Sequence, residues 1–303
     1  MTSAPGTVGV VGLGNMGLPM AGHLAAAGFA VRGYDVRPEA VRALTQAGGE
    51  PAASPAEAAA GAGVVITSLP SVAALREVVS GADGLAAAAG AGGGFIVVET
   101  STLPLEVKDE ARRALGAAGA VLLDCPLSGT ASQMRARDIA VYASGEEAAI
   151  GHCEPVLAAF SRVRYQVGEF GNGMRMKLIA NHLVTVHHTA AAEALVFAGR
   201  AGLDPALALR ALSDGAGNSR MLEVRGPMMI ANDFSEANMR LRYFQKDIDL
   251  ISGLAQAVSC PLPLFSASAQ LHLAALAQGR QDEDPACVFA VLEGMVTPPA
   301  QPG

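Results

Sequence analysis

Thr7-Val8-Gly9-Val10-Val11-Gly12-Leu13-Gly14-Asn15-Met16-Gly17 reads as a buried β-branched strand that runs into a glycine loop, and it constrains how the rest of the chain can fold. Gly12, Gly14 and Gly17 fall in the spacing G-x-G-x-x-G, after the strand and ahead of the helix-like segment Leu18 to Ala27. That context is the one a dinucleotide fingerprint requires. The first glycine permits a tight turn, the second lets backbone approach a pyrophosphate, and the third lets helix pack on strand. Helix-start amides then face the phosphates, where the helix dipole favours negative charge. Among 35 glycines the spacing alone is weak, and its place between strand and helix gives it weight. Such a loop also wants an acidic residue roughly 20 residues on, at the end of the next strand, to bind the adenosine ribose. Asp35 closes Ala30-Val31-Arg32-Gly33-Tyr34 and fits. Its charge repels a 2′-phosphate, which points to NAD. Arg37 either swings over a 2′-phosphate and admits NADP, or is a solvated loop charge beside Pro38.

A chain of 303 residues with 51% apolar content can bury a large core and divides best into two domains. The net charge of −7 disfavours nucleic acid or an anionic membrane as partner, so an anionic substrate needs a local basic pocket. Cys125, Cys153, Cys260 and Cys287 are scattered, and Met1 to Thr7 shows no basic-then-apolar leader, so a cytoplasmic protein with reduced thiols is expected. The apolar run Leu178 to Leu203 carries His182, His187, His188, Glu193 and Arg200. It reads as a buried helix and not as a bilayer span.

Along the chain, Pro38 to Ala47 reads as a helix, and Ser54-Pro55-Ala56-Glu57 as a capping box opening a short one. Val64 to Ser68, Phe95 to Glu99 and Ala120 to Asp124 are strands, with Leu105 to Ala118 a helix between the last two. Gly81 to Gly94 reads as a helix plus loop, and Cys125 to Arg137 as irregular. Ile139 to Ala143 and Arg162 to Val167, with the helix Glu146 to Phe160 between them, are expected to close the sheet. Strand signal stops at Asn172. The expected fold is therefore an α/β Rossmann-type doubly wound sheet over residues 1–170. A long interdomain helix joins it to an all-α domain over 171–303, with helices at Pro205 to Leu212, Met221 to Met229, Phe244 to Ala257, Leu262 to Ala277 and from near Pro285. The tail Thr297 to Gly303 is expected to fray.

Lys177 and Asn181 lie four apart on the long helix, hence on one face, where both could point into an interdomain cleft. A cation in the first turns opposes the helix dipole, which is odd for an ordinary surface lysine. Moving hydride from a carbinol carbon to nicotinamide requires that the two be held in contact and that the hydroxyl proton be removed. Lys177 is the candidate for that proton. Burial, or a neighbouring cation such as Lys246, would favour the neutral amine that a base requires.

Over Val8 to about Gly294 the sequence resembles the β-hydroxyacid dehydrogenases, which include 3-hydroxyisobutyrate dehydrogenase and tartronate semialdehyde reductase. The resemblance rests first on the extended motif Gly12-Leu13-Gly14-Asn15-Met16-Gly17-Leu18-Pro19-Met20-Ala21. It continues through Leu69-Pro70, Ser101-Thr102, Asp124-Cys125-Pro126-Leu127-Ser128-Gly129, Gly171-Asn172-Gly173 with Lys177 and Asn181, and Lys246-Asp247. It implies that Gly12 to Gly17, Asp35, Arg37, Leu69, Pro70, Thr102 and Lys246 bind the cofactor, NAD with NADP as the alternative. It implies too that Ser128 and Gly129 grip the substrate carboxylate, that Ser101 and Thr102 bridge substrate and nicotinamide, and that Asn181 binds the substrate beside Lys177. Small anionic hydroxy acids or semialdehydes, and a homodimer or homotetramer, are implied by the same resemblance. Thr130 replaces a common glycine, Ala131 to Asp138 lacks the usual ones, and His182 stands where a second Asn is common. The wording Asp124 to Thr130 is most similar to the threonate and four-carbon sugar-acid branch.

Two rival readings are an imine reductase of similar architecture and a cofactor-binding regulator without catalysis. Lys177 speaks against the first, and the joint presence of Lys177, Asn181, Ser128 and Lys246 against the second. The spacings i, i+5 and i, i+6 of His182, His187 and His188 do not share a helix face. No metal site is expected there. His23, His152 and His272 read as surface or packing residues, and Met228-Met229 as core.

Overall fold

The computed structural model describes residues 6–92, 94–237 and 239–296, in which the chain forms two compact units, Met1–Lys177 and Leu178–Gly303. The expected fraying tail from Thr297 lies outside the described residues, as do the first five residues. In the first unit six strands form a wholly parallel sheet: β1 (Thr7–Val11), β2 (Ala30–Tyr34), β3 (Glu50–Pro51), β4 (Val64–Thr67), β5 (Ile96–Glu99) and β6 (Val121–Asp124), in the order β3-β2-β1-β4-β5-β6. Near-continuous apolar runs suit it, because helices cover both faces of a parallel sheet. The register shows the pleat at work. Val10, Ile66, Val98 and Leu123 form one cross-strand row on the first core, while Val65, Val97 and Leu122 in the next row belong to the second. Gly9 begins that second row, and a side chain there would run into the backbone of Ala58, so the helix Pro55–Ala59 packs directly on β1.

The strands expected to close this sheet do not join it. β8 (Ala140–Ala143) and β9 (Val163–Gln166) pair with β7 (Leu127–Ser128) in a second, three-stranded sheet, linked to β6 by a bridge between Asp124 and Ser144. The cause lies in the segment after β6. Cys125 donates its last amide to Glu99 on β5, Pro126 has no amide to offer, and the extended chain then changes partner to β8. Cys125 to Arg137 is accordingly not irregular. It holds β7 and a short helix, Ala131–Arg135, opened by a capping box between Thr130 and Gln133. At Ser54 the hydroxyl accepts the Glu57 N–H as expected, but the Glu57 carboxylate takes the N–H of Ala53 in place of the cap residue's own.

The long helix spans Asn172–Arg200. In the second unit follow helices Pro205–Ser213, Arg220–Ala231, Leu241–Ala257 and Pro263–Ala277, a 3₁₀ turn Pro285–Cys287 and a helix Val288–Val296. Their core gathers Leu195, Leu222, Met229, Phe234, Leu241 and Phe289, with Met228 only partly buried beside it. The run Leu178 to Leu203 is not buried all round: Ile179, Leu183 and Phe197 are 54%, 49% and 73% exposed. No described helix is long and apolar enough to cross a membrane.

Candidate active site

Because the six strands run parallel, their carboxyl ends share one rim. Gly12 leaves β1 there, Asp35 leaves β2, Ser68 and Leu69 leave β4, Thr100 and Ser101 leave β5, and Cys125 leaves β6. The strand order reverses between β1 and β4, the switch point outside which open α/β sheets bind ligands. Gly12 has φ +92°, and a Cβ there would overlap the carbonyl of Ser68. A Cβ on Gly17 would overlap the carbonyl of Gly12. At Gly14 the nearest atom is 3.9 Å away, at the tip of Arg37, so this face of the loop is open where a pyrophosphate would lie. The helix Gly17–Ala26 beyond has no side-chain cap and no acidic residue in its first turn. An open backbone face with an uncapped helix start fits a dinucleotide phosphate.

Asp35 and Arg37 meet at the same loop. Asp35 accepts hydrogen bonds from the Leu13 amide (2.8 Å), the Arg37 amide (2.9 Å) and the Arg37 guanidinium (3.0 Å to each oxygen). Burial raises the pKa of this carboxyl, but the bonds from Arg37 and Leu13 outweigh it and hold the carboxyl below its ordinary value. Arg37 also donates to the Leu13 carbonyl at 3.3 Å, so the guanidinium lies across the glycine loop beside Asp35.

At the neighbouring strand ends, the Ser101 hydroxyl accepts the Leu69 N–H at 2.8 Å, which brings two of the expected site residues together. Ser101 donates its own amide to Glu99 Oε1 at 2.9 Å. Glu99 ends β5, Asp124 ends β6, and the two are register partners. Lys108, on the helix Leu105–Ala117, has no exposed surface. Its Nζ donates to Asp124 Oδ1 at 2.6 Å and sits 2.7 Å from Glu99 Oε2, the latter an ion contact outside hydrogen-bond geometry. Burial disfavours the ammonium, yet the charges of Glu99 and Asp124 outweigh burial and raise its pKa above the usual lysine value. Asp124 Oδ2 accepts the Met174 N–H at 2.7 Å, and Ser144 Oγ accepts the Gly173 N–H at 2.9 Å. A Cβ on Gly173 would meet the carbonyls of Tyr142 and Asp124 at 2.5 and 2.6 Å, so the start of the long helix lies flat on β6 and β8. Cys125 is buried, and burial first and the Asp124 charge second push its thiol well up, which makes it an inert packing residue.

Ser128 is half-buried at the end of β7, and Gly129, exposed with φ +143°, has a conformation in which a side chain would strike Ile139. Thr102 is half-buried next to Ser101, and Pro70 is exposed beyond Leu69. Lys177 is 9% exposed, in the second turn of the long helix. In the second unit the Asn181 amide donates to Asp247 Oδ2 at 2.8 Å, and Lys246 Nζ lies 3.9 Å from Asp247 Oδ1 with its side chain 44% exposed.

Sequence reasoning missed Lys108, Glu99 and the anchoring role of Asp124. Part of the signal was present. Lys108 interrupts the apolar face Val107, Ala111, Leu115 of its helix, and two adjacent strands each end in a carboxylate.

Comparison with known proteins agrees with this geometry. Residues 7–170 match the family described as the NAD binding domain of 6-phosphogluconate dehydrogenase, and 171–292 the one described as NAD-binding of NADP-dependent 3-hydroxyisobutyrate dehydrogenase. An L-threonate dehydrogenase of Cupriavidus necator is 35% identical over 292 residues, 96% of this chain and 97% of that protein. A 3-hydroxyisobutyrate dehydrogenase of Pseudomonas aeruginosa is 31% identical, over 85% of this chain and 88% of its own. The crystal structure of a 3-hydroxyisobutyrate dehydrogenase from Salmonella typhimurium superposes with a TM-score of 0.83 at 32% identity, covering 94% of this chain and 99% of that one. The chain therefore belongs to the β-hydroxyacid dehydrogenases and is an NAD(P)-dependent oxidoreductase of hydroxy acids.

Proposed function

We propose that the protein oxidises the carbinol of a small β-hydroxy acid with NAD, and reduces the corresponding semialdehyde or keto form in reverse, using Lys177 as the acid/base. The observation that carries this reading is the shared rim of the first unit. The open glycine loop, the Leu69–Ser101 contact and the Asp124–Gly129 segment all leave the carboxyl ends of one parallel sheet. The helix that bears Lys177 is hydrogen-bonded to the same Asp124. Residues 1–170 would hold the cofactor, and 171–303 would complete substrate binding and assembly.

Gly12 to Gly17 would cradle the pyrophosphate, Asp35 the ribose, and Leu69, Pro70 and Thr102 the remainder, with Lys246 assigned to the cofactor as well. Nicotinamide held there would supply the acceptor for the hydride of the carbinol carbon. Ser128 Oγ and the Gly129 amide would fix the substrate carboxylate, so that only one face of the carbinol is presented. Lys177 Nζ takes the hydroxyl proton as the carbonyl forms and returns it in the reverse direction. Asn181, one turn further along the same helix face, would hold the hydroxyl or carboxylate. Among β-hydroxy acids we favour four-carbon sugar acids such as threonate, on the wording of Asp124 to Thr130 and the 35% identity to an L-threonate dehydrogenase.

The test is a panel of L-threonate, 3-hydroxyisobutyrate and glycerate with NAD and with NADP, followed at 340 nm. Turnover of at least one, fastest on L-threonate, is expected. Cofactor binding without turnover of any hydroxy acid would refute the reading and favour a non-catalytic cofactor-binding protein.

A further inference from the structure

Lys108, Glu99 and Asp124 form a wholly buried cluster of one cation and two carboxylates. Such a cluster is a poor source of stability, because desolvating three charges costs about as much as their attraction returns, and an apolar residue of similar shape at 108 would serve packing as well. What it supplies is direction. Each carboxylate turns one oxygen to Lys108 and the other to a segment of the rim: Glu99 Oε1 accepts the Ser101 N–H at 2.9 Å, and Asp124 Oδ2 accepts the Met174 N–H at 2.7 Å. Ser101 in turn accepts the Leu69 N–H at 2.8 Å, Met174 stands one turn before Lys177, and Ser128 follows Asp124 by four residues.

We propose that Lys108 is a positioning residue for hydride transfer: held between Glu99 and Asp124, its ammonium fixes relative to one another the three segments that carry Ser101, Ser128 and Lys177. The inference rests on the roles proposed above for those residues. A shift of about 1 Å in one reacting group costs on the order of 10²-fold in rate, so a clamp one step behind the site acts on kcat without contributing an atom to the chemistry.

Counterion and clamp separate experimentally. Lys108→Met leaves two buried carboxylates without their cation and is expected to be destabilised. Lys108→Met/Glu99→Gln restores the cluster's original net charge of −1, and the new amide oxygen still accepts the Ser101 N–H. The experiment measures, for wild type and the double variant, thermal stability, the Kd for NADH from its fluorescence, and kcat and KM with L-threonate and 3-hydroxyisobutyrate. A clamp predicts a double variant that melts below the wild type but stays cooperatively folded at the assay temperature and binds NADH within about threefold, while kcat falls by roughly 10- to 100-fold and KM for the hydroxy acid rises. Wild-type kcat and KM in the double variant would overturn the proposal and leave Lys108 a counterion. Loss of NADH affinity in proportion to kcat would overturn it too, since the damage would then lie in the cofactor loop. Failure of the wild type to turn over any hydroxy acid would remove the functional reading first and this proposal with it. Active wild type beside an unimpaired double variant defeats this proposal alone.

Discussion

Asp35→Ala should weaken NAD specifically, and the hydrogen bonds around the carboxylate give the size of the effect. Asp35 accepts from the Leu13 amide at 2.8 Å, the Arg37 amide at 2.9 Å and the guanidinium at 3.0 Å, so a ribose hydroxyl can reach the carboxylate only if the guanidinium moves aside. The Arg37 side chain is 51% exposed and that of Asp35 8%, so releasing this ion pair costs about 1 kcal/mol, the upper end for pairs at a surface. A hydrogen bond from the ribose to the charged acceptor returns about 1.5–3 kcal/mol. The net gain is about 0.5–2 kcal/mol, a factor of roughly 2–30. Removing the carboxylate also leaves the Leu13 amide without its acceptor, which loosens the loop for either cofactor. That common loss cancels in the ratio of kcat/KM for NAD to kcat/KM for NADP. Initial rates at 340 nm should therefore show the ratio falling by about 2- to 30-fold in Asp35→Ala, with Arg37 now free to meet a 2′-phosphate. Arg37→Ala should move the ratio the other way. An unchanged ratio in Asp35→Ala, or a wild type about tenfold more efficient with NADP, would refute the assignment.

The second unit offers a stability test. His188 is fully buried against Phe244 and His272, with no hydrogen-bond partner for either ring nitrogen among the described residues. Burial first, then the charges of Arg225, His272 and His187, hold its pKa well below the ordinary histidine value. As pH falls through about 6.5 the unfolded chain gains a proton that folded His188 refuses, so stability present above that pH is lost below it. Replacing the ring with leucine should raise stability in urea by about 1–3 kcal/mol at neutral pH and lessen the loss between pH 7 and 5.5. A less stable His188→Leu at pH 7 would refute the view that the ring is an unsatisfied burden. For assembly, exposed Ile179, Leu183 and Phe197 on the long helix and Leu264 and Leu273 on a later one, at 49% to 73% exposure, call for cover by a second copy. Light scattering should find a dimer or tetramer, and only a species near 30.6 kDa would exclude it.

Most of the sheet was legible because buried parallel strands are written as unbroken apolar runs, and Val64–Thr67 and Ile96–Glu99 have no other easy reading. The glycine loop was legible because its spacing encodes backbone contacts that a Cβ at Gly12 or Gly17 would violate. The destination of β8 was not. Its unbroken apolar run, Ile139 to Ala143, suits either sheet, and the choice was made by the amide that Pro126 lacks and by the bridge from Asp124 to Ser144. The two-residue β3 lies below any periodicity that a sequence can display. Lys108 was hidden for a different reason: local pattern shows a lysine on an apolar face, but only the register of β5 and β6 shows two carboxylates waiting for it. The helix spacing of Lys177 and Asn181 was visible at once, whereas the partner of Asn181, Asp247, is 66 residues away and beyond any local rule.

The central claim is that Lys177 carries the proton of a hydroxy-acid dehydrogenation, and the most direct measurement compares kcat of Lys177→Ala with its Kd for NADH. General acid–base groups contribute about 10²–10⁴ in rate, so kcat should fall by that factor while NADH binds nearly as tightly as to the wild type. A variant that retains wild-type kcat, or one that loses NADH binding instead, would contradict the claim and make the lysine structural.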